Sequence, residues 1–125
     1  MGPVHVTSFG YGHAPAPEAD LTVDARRHLR NPHADPGMRE LTGLDPAVRK
    51  HVLTTPGATT TVYAAATFAR ELAGTTRSPV TVAVGCVGGR HRSVALAEQI
   101  ATTLRERGVT ATVTHRDVHR PVIQK

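Results

Sequence analysis

The chain has 125 residues, a formal net charge of +5 with histidines neutral, and aromatic residues at only 3% of its composition. That length fits one domain, residues 1–125, with a single core of Val, Leu and Ala, and excludes two domains. The basic balance suits anionic partners such as nucleic acid or phosphorylated metabolites; the single cysteine, Cys86, excludes an internal disulfide, and the lack of a signal-peptide pattern or long apolar segment predicts a cytoplasmic chain with no membrane partner.

Val4 to Ser8 alternates Val4 and Val6 with His5 and Thr7, which predicts a short strand, and Phe9-Gly10-Tyr11-Gly12 predicts a loop after it. Ala14-Pro15-Ala16-Pro17 reads as a stiff extended connector. Asp20 to Ala25 predicts a second strand with Leu21 and Val23 on one face and Asp24 and Arg26 at its end. Asn31 to Leu44 carries turn signals and no sustained period, so it reads as an irregular loop of functional length. Asp45 as N-cap and Pro46 at the first helical position predict a helix to about Leu53. Thr59 or Thr60 then caps a longer helix whose Val62, Ala65, Ala66, Ala69 and Leu72 form an apolar stripe, widened by Phe68 and ended by Gly74.

Val80, Val82 and Val84 form an apolar run of strand length, interrupted only by Thr81, as expected for a strand covered on both faces. Gly85, Gly88 and Gly89 follow, then Arg90, His91, Arg92 and the N-cap candidate Ser93, and a helix carried by Ala97, Ile100, Ala101 and Leu104 until Gly108. Val109, Ala111 and Val113 alternate with threonines as a last strand, His115-Arg116-Asp117 stands at its end, and the remainder reads as a basic tail. No internal repeat or low-complexity linker occurs.

Strands alternating with helices predict an α/β fold, a small, mostly parallel sheet flanked by helices and joined by right-handed crossovers. Its carboxyl edge would collect Ser8, Asp24, the Asn31 to Asp35 loop, Gly88 to Ser93 and His115 to Asp117 as a polar ligand crevice. Glycine-relaxed N–H groups at a helix start, the positive end of the helix dipole and two arginines all favour a phosphate or carboxylate there. The ligand candidates are Arg26, Asn31, Gly88, Gly89, Arg90, His91, Arg92 and Ser93. Asp24 beside Arg26 reads equally as a structural strand-end pair or as a carboxylate for an amine.

With SFGYG (8–12), ADLTVDAR (19–26), NPHADP (31–36), LTGLD (41–45), GCVGGRHRSVALAE (85–98) and HRD (115–117) in this order, the whole chain resembles the C-terminal domain of the RNase adapter family RapZ. The resemblance implies a non-enzymatic phosphosugar sensor, binding glucosamine-6-phosphate in full-length relatives, that also binds small regulatory RNA and presents it to a ribonuclease. It implies His33, Gly88, Arg92 and Ser93 at the metabolite, and basic residues near the C-terminus, here Arg116, Arg120 and Lys125, at RNA. The chain departs from the family at Val87, where a hydroxyl residue is usual, and at Arg90, where lysine is usual. It also lacks the GxxxxGK[ST] loop of the family's N-terminal nucleotide-binding domain, so ATP binding is not implied.

The same loop, Cys86 to Ser93, reads as CX5RS, the pattern of cysteine-dependent phosphatases, with Cys86 as nucleophile, Arg92 on the phosphate and Ser93 assisting the leaving thiolate. Against that reading, a strand-end cysteine is commonly a small buried hydrophobe, and only Asp35 and Asp117 offer a general acid. The eight histidines do not fall into metal spacing, His115 and His119 included, so no metal and no cofactor is expected; His33 and His91 read as anion donors. Arg105 and Arg107 complement a helix C-terminus, and no aromatic interleaving supports stacking of single-stranded nucleic acid. The expected partners are therefore a sugar phosphate and, through the resemblance, structured RNA or a ribonuclease; homo-oligomer formation is left open.

Overall fold

The alternation at the N-terminus becomes β1 (Val4–Gly10), two residues longer than the sequence predicts, because Phe9 and Gly10 stay paired with Gly85 and Cys86. A computed structural model describes residues 1–27 and 37–123, and Asn31, His33, Asp35 and Lys125 lie outside the described residues. β2 (Leu21–Asp24) follows, then α1 (Pro46–Leu53), α2 (Ala58–Ala73), β3 (Val80–Cys86), α3 (Arg92–Glu106) and β4 (Ala111–His115). The four strands form one sheet in the order β2-β3-β1-β4, and every pairing is parallel. The predicted α/β class is the observed one.

The valine-rich β3 is interior, with Val82, Ala83 and Val84 all at 0% exposure, as a strand covered on both faces requires. Val4, Val6, Val80, Val82 and Val84 share one core with residues of all three helices, so the helices lie on one face. The step from β1 to β2 runs across the sheet in the opposite direction from the steps β2 to β3 and β3 to β4. The right-handed rule therefore sends the extended 11–20 connector back over the other face, and no helix is needed there. Toward the β4 edge that face stays polar: His5 Nδ1 meets Thr112 Oγ1 at 2.7 Å, and Thr7 Oγ1 meets Thr114 Oγ1 at 3.2 Å.

Alanine at 65, 66, 69 and 73 lets α2 approach the core closely, and all four are buried. Phe68 does not widen that stripe; it is 43% exposed, as one residue before Ala69 on a helix turns it off the buried face. Three predicted caps are corrected. α2 is capped by Gly57 in the left-handed region rather than by Thr59 or Thr60. Asp45 holds the N-cap position of α1 without capping it, since its carboxylate accepts the Thr42 N–H at 2.7 Å in the preceding turn. α3 begins at Arg92 with His91 at the cap, which places Ser93 inside the first turn. The predicted basic tail begins in the interior: Val118 is buried, next to the buried Asp117 at the strand end.

Candidate functional site

Parallel pairing sets the ends of β1 and β3 side by side, Gly10 opposite Cys86, so the two strand-end loops leave the sheet together. Gly89 has φ +70°, and a β-carbon on it would lie 2.5 Å from the Gly10 nitrogen and 2.9 Å from the Asp117 β-carbon. A β-carbon on Gly10 would in turn lie 2.5 Å from the Gly88 carbonyl carbon. Two backbones touch here, and only glycine permits it. Asp117 fixes the contact: its carboxylate accepts the Gly10 N–H at 2.8 Å and pairs with Arg116 at 2.9 Å and Arg120 at 3.2 Å. Burial alone would raise the Asp117 pKa, but the hydrogen bonds from Arg116 and the Gly10 amide outweigh it and hold the carboxyl below its ordinary value.

The donor side chains counted from the sequence act mainly as struts. Arg90 donates to the carbonyls of Leu41 (3.1 Å), Arg120 (3.3 Å) and Glu40, tying the 37–44 loop and the C-terminal segment to the glycine loop. His91 donates through Nε2 to the carbonyls of Met38 (3.1 Å) and Arg39 (3.0 Å), and burial lowers its pKa against the opposing pull of those carbonyls. Ser93 is fully buried, and its hydroxyl oxygen accepts the Cys86 thiol at 3.2 Å, while the Gly89 N–H donates to the same sulfur at 3.3 Å. Arg92 is 4% exposed and donates to the Arg26 carbonyl at 2.7 Å; burial lowers its pKa, partly offset by Cys86 and the Asp24 carboxylate.

For an anion this leaves the helix start. Ala95 is the first residue of α3 whose N–H bonds back into the helix, to His91 at 3.0 Å, so the N–H groups of Arg92, Ser93 and Val94 have no intrahelical acceptor. The N-cap residue His91 makes no side-chain cap hydrogen bond to them. A β-carbon on Gly88 would meet nothing within 4 Å, so the loop is open on that side. Arg26, whose carbonyl accepts from Arg92, holds Asp24 in two parallel hydrogen bonds of 2.9 and 2.7 Å and lies 3.7 Å over the Tyr11 ring. The Arg26 hydrogen bonds keep the Asp24 carboxyl below its usual range, and burial together with Asp24 raises Tyr11.

Arg116, expected at RNA, donates to the carbonyls of Pro15 (2.7 Å), Ala14 (3.0 Å) and Gly10 (3.2 Å), holding the connector that crosses the sheet. Arg120 remains 59% exposed beside Asp117, and His119 is exposed. His115 joins a chain that the sequence does not announce: its Nδ1 meets the buried Ser8 hydroxyl at 2.6 Å and its Nε2 meets Glu98 at 2.7 Å. The only hint of it in the sequence is that 8 and 115 both stand at the ends of predicted strands. Among the described residues no group of three or more His, Cys, Asp or Glu side chains is placed to hold a metal ion, and no helix is long and apolar enough to cross a membrane.

The family model for the RapZ C-terminal domain matches residues 3–119. The chain is similar to a nucleotide-binding protein of Thermobifida fusca, 45% identical over 120 residues, covering 93% of this chain and 40% of that protein. It is 46% identical over 124 residues to a nucleotide-binding protein of Salinispora tropica, covering 94% and 40%, and 45% identical over 120 residues to one of Thermus thermophilus, covering 94% and 43%. The chain thus spans roughly two fifths of the length of the curated relatives it matches. With the motif loop, the parallel sheet and a match over residues 3–119 in agreement, the chain belongs to the RapZ C-terminal domain family.

Proposed function

We propose that this domain is a non-enzymatic sensor that binds a phosphorylated small molecule of the sugar-phosphate class at the Gly88 to Ser93 loop. The observation that carries the proposal is the start of α3, where His91 supplies no side-chain cap and the helix opens onto a glycine loop with the buried guanidinium of Arg92 beside it. Relatives named nucleotide-binding proteins are consistent with a phosphorylated ligand. His33 and Asn31 complete the proposed ligand set, and an adapter role toward regulatory RNA or a ribonuclease follows the family resemblance.

Calorimetric titration with glucosamine-6-phosphate, glucose-6-phosphate, inorganic phosphate and ATP tests the reading. Arg92→Ala removes charge-assisted hydrogen bonds and should weaken the preferred ligand by about tenfold to over a hundredfold. Equal affinity in the variant would place the ligand elsewhere.

One observation favours a second reading, a cysteine-dependent phosphatase: the Gly89 N–H and the Ser93 hydroxyl both meet the Cys86 sulfur, as that chemistry requires. Against it, Cys86 is only 3% exposed, and the Asp117 carboxylate is held by Gly10, Arg116 and Arg120 and cannot also serve as a proton donor. Hydrolysis of an aryl phosphate lost in Cys86→Ser would establish the enzyme and end the sensor reading.

A further inference from the structure

Away from the glycine loop, a groove of about 250 Å³ lies between α2 and α3, floored by Leu53 and Val62 and walled by Tyr63 on one side and Gln99, Thr103 and Arg107 on the other. Gln99, Thr103 and Arg107 recur every fourth residue, so they form one ridge along α3 that ends at its C-cap residue, Arg107. Tyr63 is 62% exposed, far more than any packing role needs, and the Arg107 guanidinium lies 4.9 Å over its ring. Arg107 is held there by a 3.0 Å hydrogen bond to Thr67, one helical turn beyond Tyr63, so the cation is positioned in advance. Arg49 stands behind the lining residue Gln99, away from Arg107 along the ridge, and donates to its side chain at 3.1 Å. From Gln99 to Arg107 is eight residues of helical rise, about 12 Å.

An exposed aromatic ring beside an apolar floor, with one arginine over the ring and a second behind Gln99, matches the requirements of an unpaired base carrying phosphates on both sides. We propose that this groove takes one base of single-stranded RNA, stacked at Tyr63, with its flanking phosphates on Arg107 and Arg49. The proposal rests on the RNA-binding part of the function proposed above and moves the contact from the C-terminal cations to the helical face. A hydrophobic peptide would gain little from the two arginines, whereas a polyanion gains from both and suits the net charge of +5.

The test is fluorescence anisotropy of a labelled oligouridine, about 12 nucleotides long, titrated with the whole chain at low and near-physiological salt. Tyr63→Ala should lose roughly 5- to 150-fold in affinity, and Tyr63→Phe, which keeps the ring, should bind as the parent does. Arg107→Ala should weaken binding and reduce the magnitude of the salt slope by about one. Tyr63 is exposed, so its substitution leaves the core intact, and a thermal melt checks this. Unchanged affinity in Tyr63→Ala, or a loss confined to Arg116→Ala and Arg120→Ala, overturns the groove as the site while leaving RNA binding in place. Uridine monophosphate competing as well as the strand would make the occupant a free nucleotide and overturn the proposal. Self-association of the parent chain that is lost in Tyr63→Ala would make the groove a contact between copies and overturn it too. No binding at low salt removes the RNA reading altogether, and the sugar-phosphate titrations stand or fall separately.

Discussion

Removing the Asp117 carboxylate tests the claim that one buried group holds both strand-end loops in place. Asp117 is 1% exposed and accepts from the Gly10 amide at 2.8 Å, from Arg116 and from Arg120. In Asp117→Ala the two guanidinium groups, 30% and 59% exposed, can turn to water, so their loss is discounted. The Gly10 N–H cannot, because Gly89 covers it. A charge-assisted hydrogen bond lost with its donor left buried costs about 2 to 3 kcal/mol, or a fall in Tm of roughly 8 to 12 °C for a chain of this size. Asp117→Asn keeps an acceptor oxygen and should cost about half as much. The folded carboxyl titrates below its ordinary value of 3.8, so around and below that value the unfolded chain binds more protons than the folded one, and stability rises with pH there. The stabilisation from Asp117 is therefore complete above 3.8 and is lost as pH falls through the folded value. Thermal melts followed by circular dichroism across acid pH measure both effects. A change in Tm under about 2 °C for Asp117→Ala at neutral pH would refute the reasoning, because it would mean that Gly10 finds another acceptor.

Gly89→Ala forces an L side chain to φ +70° and drives its β-carbon into the Gly10 backbone, which cannot swing aside as a flexible side chain would. The left-handed conformation alone costs about 1 to 2 kcal/mol, so the urea midpoint should fall with little change in m, and a midpoint equal to the parent's would show that the contact relaxes freely. His91 is held neutral by burial, its folded pKa below 6.5, so its contribution is present above 6.5 and lost as pH falls through the folded value. The stability difference between the parent chain and His91→Gln should therefore shrink on acidification below 6.5; a difference independent of pH in chemical denaturation would contradict the burial argument.

Much of the fold was legible because it rests on short-range patterns. The Val80 to Val84 run, the alternations in β1 and β4 and the proline after Asp45 each report local geometry, and each element formed there, although β1 runs two residues further and β4 begins at Ala111 rather than Val109. The caps were less legible. Ser93 and Thr59 have the right chemistry for an N-cap, but a cap depends on which residue leaves helical geometry first, and that place falls to Gly57 in α2 and to His91 in α3. The glycine loop was legible as a place and misread in its side chains. Arg90 and His91 look like free donors beside three glycines, yet the carbonyls of residues 38–41 that accept from them lie some fifty residues earlier and are brought near only by the tertiary fold. The same limit hid Tyr63 and Arg107: a tyrosine in α2 is not an interleaved pattern until the end of α3 sets a guanidinium over it. Asn31, His33, Asp35 and Lys125 lie outside the described residues.

The use of Arg90 and His91 as struts alters how the loop would bind an anion. If those side chains had to close on a ligand, each would lose rotamer freedom on binding, about 0.5 to 1.5 kcal/mol apiece. Hydrogen-bonded to carbonyls beforehand, they have already lost it during folding, and the backbone N–H groups at the start of α3 stand fixed before any ligand arrives. Asp117 acts from the other side through Gly10, so the loop is braced by β1, by the 37–44 loop and by the segment after β4 at once. Three separate parts of the chain thus hold one loop whose own side chains reach the solvent little. A site built this way depends for affinity on backbone geometry and on the single buried Arg92, and is more sensitive to a β-carbon at Gly89 than to the loss of any exposed cation.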